Sequence, residues 1–367
     1  MKVKKIILSI IAILIIVSSL YIIVNGKNYR YEASNKINIV SSNFASYDFL
    51  RAIIGENDNI KLTFLVGPGK DAHGFEPTAK DLITIQNADL FVYVGGEMEQ
   101  WTDKVLGSIE DGENDNTLDE NTEKIIKNIM TANRNSIKTI CISKFVETIE
   151  EQEIDGAEDE QTYEIEKADN NHITTQNIPD DSQKEIHEHE EGAFDEHIWT
   201  SPDNAIKMIQ TLEKAMEEID IQNARTYKIN AQNYIEEIQE VDEQIQEIVD
   251  NRVRDRLVFA DRMPMQYFVN YYDLEVTAAF SGCSTDIEPS ASTIAYLENK
   301  VKGENIPVIL HIELNDGTVA KTIAEGTGAN VKQIQTLHNI SLKDFNNGET
   351  WVSLMKRNIE VLKNALL

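Results

Sequence analysis

The sequence predicts an α/β protein of two lobes, each built on a parallel sheet, with one long helix joining them. Three observations carry this. Strand patterns alternate with helical patterns in two separate runs of the chain. Between the runs, Pro202 to about Arg254 is almost entirely helix-forming. The length of 367 residues, at roughly 150 per domain, suits two domains or one large one.

The first run opens at Ile37, where Ile-Asn-Ile-Val-Ser-Ser-Asn-Phe reads as an alternating strand entering a polar turn. Helical spacing follows from Tyr47 to Ile54. Leu62–Val66 is a second strand, closed by Gly67-Pro68-Gly69. Pro77 to Ala88 is helical, Leu90–Val94 is a strand ending at Gly95-Gly96, and Asn135 to Ile142 adds another. Strands alternating with helices imply a parallel sheet.

The helical stretch carries two apolar stripes, Ile206, Ile209, Leu212, Ala215 and Met216, then Ile235, Ile238, Val241, Ile245 and Ile248. A break is expected near Asp220-Ile221-Gln222, with the second helix running ~25 residues, or about 37 Å. That length suits a rigid connector. The alternation then resumes with strands at Leu257–Ala260, Glu275–Phe280, Val308–Ile312 and Gln333–Leu337. Helices are expected at Met265–Tyr272, Ser290–Lys302, Gly317–Thr327 and Thr350–Leu366.

Composition narrows the function. Hydrophobic residues make up 41% and charged residues 26%, a globular balance. The net charge of −29 argues against binding a phosphate backbone and suits cations. Glu147 to Glu196 alone holds 19 acidic residues against Lys167 and Lys184. It is poor in large apolar residues, so it reads as an insertion too polar to fold alone. It also contains His172, His187 and His189, and is expected to gather metal ions without forming the main site. At the N-terminus, Lys2, Lys4 and Lys5 precede the uncharged run Ile6–Val24, 19 residues that would span ~28 Å as a helix. This is expected to anchor the chain on the outer face of the cytoplasmic membrane; a cut after Ser19 would instead release it. Two cysteines, Cys141 and Cys283, are too few for a disulfide framework.

Motifs for nucleotide or acyl chemistry are missing: no GxxxxGK[ST], no GxGxxG after a strand, no GxSxG. The unusual feature is the placement of histidines. His73 lies in a loop between a strand and a helix, His197 just before a helix, and His338 directly after a strand. In open α/β sheets ligands bind at such strand ends, and neutral imidazole is a favoured zinc ligand. A lone histidine there serves as a surface or capping group as often as a ligand. His311, inside an apolar strand, reads as a core group or a support for ligands.

These segments carry a family resemblance. Pro68-Gly-Lys-Asp-Ala-His-Gly-Phe-Glu-Pro-Thr78 and Asp195-Glu-His-Ile-Trp-Thr-Ser-Pro202 resemble signatures of the metal-binding lipoproteins that serve zinc and manganese ABC importers. Ala279-Phe-Ser-Gly-Cys-Ser284, Glu288-Pro-Ser-Ala291, Glu325-Gly-Thr-Gly-Ala329 and Gly348 to Asn358 are similar to their second-lobe pattern. The resemblance is to the zinc-type cluster A-I substrate-binding proteins. It implies two Rossmann-like lobes around a rigid helix, as in periplasmic binding proteins, with the metal held between them. The expected division is 1–27 anchor or signal, 34–220 first lobe with insertion 147–196, 222–254 connecting helix and 255–367 second lobe. Carried over by position, His73 and His197 match two ligands, and His338 stands where the family has an acidic one. The remaining ligand, five residues before Tyr267, is replaced by Arg262, and the adjacent Asp261 is the candidate substitute. The family's lipobox cysteine is absent.

The expected function is therefore not enzymatic. The chain would capture Zn2+, or Mn2+, and deliver it as a monomer to an ABC-importer permease. Affinity should fall on acidification through about pH 6–6.5 as ligand histidines protonate. The competing readings are a cell-surface adhesin and an exported metalloenzyme using Glu76 or Glu196 as general base.

Overall fold

The computed structural model describes residues 36–110, 137–152, 154–156, 194–282, 284 and 288–367. The Ile6–Val24 run, Cys283 and most of the acidic insertion, with His172, His187 and His189, lie outside the described residues. Asn38–Glu56 and Leu62–Leu367 form one compact unit. Asn57–Lys61 groups instead with Ile37, whose N–H donates to Asn59 O at 2.8 Å.

The first sheet holds β1 (Ile37–Ser41), β2 (Ile60–Phe64), β3 (Leu90–Tyr93) and β4 (Lys138–Cys141) in the order β2-β1-β3-β4. β3 pairs in parallel with β1 and β4. All of Leu-Phe-Val-Tyr in β3 is buried, as a central parallel strand covered on both faces requires. Among the described residues three helices accompany the sheet: α1 (Phe44–Ile54), α2 (Ala79–Gln86) and α3 (Trp101–Glu110). Asn43 caps α1 by accepting from Ser46 N at 2.8 Å. Thr78 and Asp81 form a capping box, so α2 starts at Ala79 and not at Pro77. Helix α3 was not expected, since its apolar residues are too few to set a period. Val40, Leu65, Leu82, Ile85, Phe91 and Val105 pack as this lobe's core.

The second sheet, β5 (Arg256–Arg262), β6 (Glu275–Phe280), β7 (Val308–Ile312) and β8 (Asn330–Ile334), is ordered β6-β5-β7-β8 with parallel pairs throughout. Its helices are α6 (Gln266–Tyr271), α7 (Ala291–Glu304), α8 (Thr318–Thr327), α9 (Leu342–Asn346) and α10 (Trp351–Leu366). Val258, Phe280, Leu297, Val301, Ile309 and Ile323 lie in its core. β8 runs earlier than the expected Gln333–Leu337. Its register with β7 ends at Ile312↔Ile334. Beyond it Gln335 N donates to Asn358 Oδ1 and Thr336 N to Glu313 Oε2, both at 2.8 Å, and Leu337 turns to φ 61°. Side-chain acceptors thus end the strand one turn before His338.

Between the sheets lie α4 (Pro202–Ile219) and α5 (Ala224–Asp250). The break falls at Asp220, whose carboxylate accepts from Asn223 Nδ2 at 2.8 Å and Tyr227 OH at 2.6 Å. α5 has 27 residues, about 40 Å at ~1.5 Å each. It packs on α4, α1 and α10. Asp48 of α1 locks that junction. Its Oδ2 accepts from Tyr234 OH of α5 at 2.5 Å and from Trp351 N of α10 at 2.7 Å, while Oδ1 takes the Arg51 guanidinium. Burial raises the Asp48 pKa, against the lowering pull of Arg51 and these donors.

Candidate metal centre

In both sheets the strand order reverses beside the first strand, β1 or β5, and the loops after such strands form a ligand crevice. The loop after β2 carries His73. Asp71 Oδ1 accepts from His73 N at 3.0 Å and faces His73 Nδ1 at 3.2 Å. The ring is thereby turned so that Nε2 points inward, buried and without a partner.

His197 repeats this arrangement. Asp195 Oδ1 accepts from His197 N at 2.7 Å and faces Nδ1 at 3.0 Å. The neighbouring Glu196 accepts from Met98 N at 3.0 Å, tying the segment to the turn after β3. Gly96 there has φ 84°, and a Cβ on it would collide with the Glu196 side chain at 2.5 Å. Tyr267 of the second lobe donates its OH to Asp195 O at 2.7 Å. Ile198–Thr200 then makes one 3-10 turn, and Ser201 with Pro202 starts α4.

His338 follows β8 with the same two-residue offset, its N–H donating to Thr336 Oγ1 at 3.3 Å. Trp199 Nε1 donates to Thr336 O at 3.1 Å, so the His197 and His338 segments share a brace. Trp351 Nε1 in turn donates to Trp199 O at 3.0 Å.

The structure brings His73, His197 and His338 together, with one nitrogen from each inside a group no wider than 4.8 Å. The His73 and His338 rings stack at 4.6 Å with planes 2° apart. His197 Nε2 and His338 Nδ1 are 3.2 Å apart. Two nitrogens at ~2.0–2.1 Å from one tetrahedral zinc ion would be about 3.3–3.4 Å apart, so the pair already has chelating spacing. The remaining nitrogens face carboxylates: His197 Nδ1 meets Asp195, while His73 Nδ1 and His338 Nε2 both meet Asp71 Oδ1, the latter at 3.2 Å. Protons on His73 Nδ1 and His197 Nδ1 leave both Nε2 atoms with lone pairs; His338 Nε2 accepts from Ala72 N at 3.3 Å as well as facing Asp71, and a proton on it toward Asp71 would leave His338 Nδ1 as the third lone pair.

Burial pushes the His197 pKa down to about 3 and that of His338 to about 4, and lowers that of His73. His197 and His338 are thus neutral well below pH 6, lower than ordinary histidine chemistry implies, and burial moves His73 in the same direction. Burial also pushes the Asp195 carboxyl up to about 7. Asp71 goes the other way. Burial would raise it, but hydrogen bonds with His338 and His73 and the Arg262 charge hold it below the usual carboxylate range.

Asp261 is not in the group. Its Oδ2 accepts from Ile312 N at 2.9 Å and its Oδ1 from Asn315 Nδ2 at 2.7 Å. His311 also stays outside, with Nδ1 beside Ile312 O and its ring over Gly317. Sequence reasoning missed Asp71, Asp195 and the setting of Arg262, which donates Nη2 to Asp71 Oδ2 at 2.6 Å across the lobes. The available signal was the tripeptide Asp-x-His, present at both 71–73 and 195–197.

Comparison with known proteins identifies the family of the chain. The family model described as zinc-uptake complex component A, periplasmic (ZnuA), matches residues 39–365. Zinc-binding lipoprotein AdcA of Streptococcus pneumoniae is 28% identical over 334 residues, which are 91% of this chain and 56% of AdcA. The chain therefore spans little more than half the length of the AdcA relatives it matches. High-affinity zinc uptake system protein ZnuA of Bacillus subtilis is 25% identical over 333 residues, 91% of this chain and 88% of that protein. The Zn(II)-bound ZnuA-like domain of S. pneumoniae AdcA superposes with a TM-score of 0.64 at 25% identity, covering 90% of this chain and 99% of that one. This family comprises metal-binding transport components and not enzymes. With all but its ends matched by the family model, and with the two-lobed parallel-sheet fold, the chain belongs to the ZnuA family of zinc-uptake components.

Proposed function

We propose that this chain binds one Zn2+ between its lobes through His73, His197 and His338 and delivers it to the permease of an ABC importer. The observation that carries the reading is the convergence of the three imidazoles, each backed by a carboxylate, with one buried nitrogen left unpartnered. Three imidazoles favour zinc over manganese, which prefers oxygen donors. The lobes correspond to 34–220 and 255–367, joined through 222–254. The protein works as a monomer outside the cytoplasmic membrane, held there by Ile6–Val24. Among the described residues no helix is long and apolar enough to cross a membrane.

Elemental analysis and calorimetry of protein beginning at Lys27 test the proposal. One tightly held Zn2+ per chain, with Mn2+ failing to displace it, is the expected result. If His73→Ala and His197→Ala both bind zinc like the parent, the site is wrong.

A further inference from the structure

We propose that residues 149–156, the stem by which the acidic insertion leaves the first lobe, form a strap onto the second lobe that sets how fast the bound ion escapes. The inference rests on the zinc reading above and adds a control on release.

The strap is held at three points, each by groups of the second lobe. At its near end, Tyr267 OH of α6 accepts from Ile149 N at 3.1 Å and donates to Asp195 O at 2.7 Å. Ile149 O accepts from Asp195 N at 3.0 Å, and Glu150 bridges Phe194 in antiparallel fashion, so both legs of the insertion meet under one hydroxyl. In the middle, the buried Gln266 gives its Nε2 to Glu150 O at 2.8 Å and takes Gln152 N on its Oε1 at 3.2 Å. One side-chain amide thus serves alternate backbone groups as a neighbouring strand would. At the far end Asp155 joins β6, an outer strand of its sheet. It bridges Thr277 in parallel, and its backbone O accepts from Ala278 N at 3.2 Å. A sheet edge takes an added strand by backbone pairing of this kind.

Side chains fix which residue is seated there. The Asp155 carboxylate meets Lys300 Nζ at 2.9 Å and Arg256 Nη1 at 3.5 Å, and accepts from Thr277 Oγ1 at 3.3 Å and from Tyr296 OH. These partners come from β5, β6 and α7 and converge on one residue of the stem. Gly156 follows at φ 89°, where a Cβ would lie 2.6 Å from the Tyr296 ring, so glycine lets the chain turn away at this point.

The strap reaches the metal centre in two steps. Ile149 is bonded to Asp195, and Asp195 Oδ1 orients His197. His197 belongs to the first lobe, yet its segment is thereby fastened to the second, which supplies His338. Drawing the lobes apart either peels the strap from β6 or strains the Asp195 segment. Capture takes place on the open form, before the strap is seated, so its grip falls on release.

The test mixes the full chain, loaded with Zn2+, with excess chromophoric chelator to read release, and the apo chain with Zn2+ to read capture. Asp155→Ala removes an acceptor shared by two charged donors. It should release zinc at least about tenfold faster, with capture changed by less than about threefold. Asp155→Asn, which keeps an oxygen for Thr277 and Tyr296 but no charge, should fall between Asp155→Ala and the parent; it carries the comparison if Asp155→Ala does not fold. Tyr267→Phe should also speed release. Release unchanged in these variants, with denaturant unfolding showing lowered stability, means that the contacts only hold the fold and overturns the inference. A faster release matched by an equally slower capture marks a damaged site and overturns it too. A parent chain that holds no zinc overturns the function proposed above, and this inference with it.

Discussion

Two buried clusters in this molecule are built from similar parts and end differently. Around Asp48, a carboxylate from α1 meets Tyr234 of α5, Trp351 N of α10 and Arg51, and both of its oxygens are occupied. Around His73, His197 and His338, carboxylates again orient their partners, yet His73 Nε2 and Asp195 Oδ2 are buried with no partner. Leaving a buried polar atom unpaired costs about 1–3 kcal/mol, a cost that a ligand completing the second cluster would offset. The first cluster holds elements together, and the second turns donor atoms of matching chemistry toward one point.

The comparison can be broken most forcefully at the junction. Asp48→Ala should destabilise the fold by about 3–5 kcal/mol, because Arg51 and two further donors lose a buried acceptor. Denaturant unfolding measures this, and the folded fraction should still bind one zinc ion. If stability is unchanged, the junction is not holding the helices.

At the cleft the loss should fall on affinity. His73→Ala or His197→Ala should weaken zinc binding by more than about a hundredfold, beyond the roughly 10–100-fold expected for an outer carboxylate. His73→Ala removes an unsatisfied nitrogen and should leave apo stability nearly intact, in contrast with Asp48→Ala. Asp195→Asn should fall within that 10–100-fold range, since the amide can still present an oxygen to His197 but without charge. Competition with a chromophoric chelator ranks the three variants.

The pH response is smaller and its sign follows from the burial. Between about pH 5 and 6.5, His197 and His338, with pKa values near 3 and 4, carry no proton for zinc to displace. Asp195, pushed to about 7, does carry one. Affinity should therefore weaken as pH falls by about tenfold per unit, where three ordinary histidines would approach a thousandfold. A slope near three would show that the rings titrate as in free solution.

The smallest effect is expected from removing residues 157–191, which should leave equilibrium affinity for the tight site unchanged. The deletion must spare Asp155, which accepts from Lys300 Nζ at 2.9 Å and from Tyr296 OH. Loss of the tight site in this variant would mean that the insertion supplies a ligand.

Much of this was legible in the sequence, for reasons that also explain what was not. β1, β3, β5 and β7 are short apolar runs bounded by turns, and period alone finds them. β8 was misplaced because Leu337 extends the alternation, while the real end depends on Glu313 and Asn358, 23 residues away on either side. His73, His197 and His338 were marked by their positions at strand ends. Their meeting was expected only through the family resemblance, since spacing alone cannot show that two sheets face each other across 265 residues of chain. The role of Asp71 was hidden for the same reason: one of the rings it orients is a near neighbour, and the other, His338, is at the far end of the sequence.

The 27-residue α5 has a consequence of a different kind. A helix is a screw, advancing ~1.5 Å and turning about 100° with every residue. Everything after α5, including Arg262 and His338, inherits its angular phase from that count. Removing one residue from its middle would swing the second sheet by about 100° relative to His73 and His197 unless the helix unwound to absorb the change. An addition of about seven residues would come within about 20° of the same bearing and one of about eighteen, five whole turns, would restore it, in either case at the wrong height. The chemistry of the cleft is thus written partly in a number, the length of a helix that touches no metal.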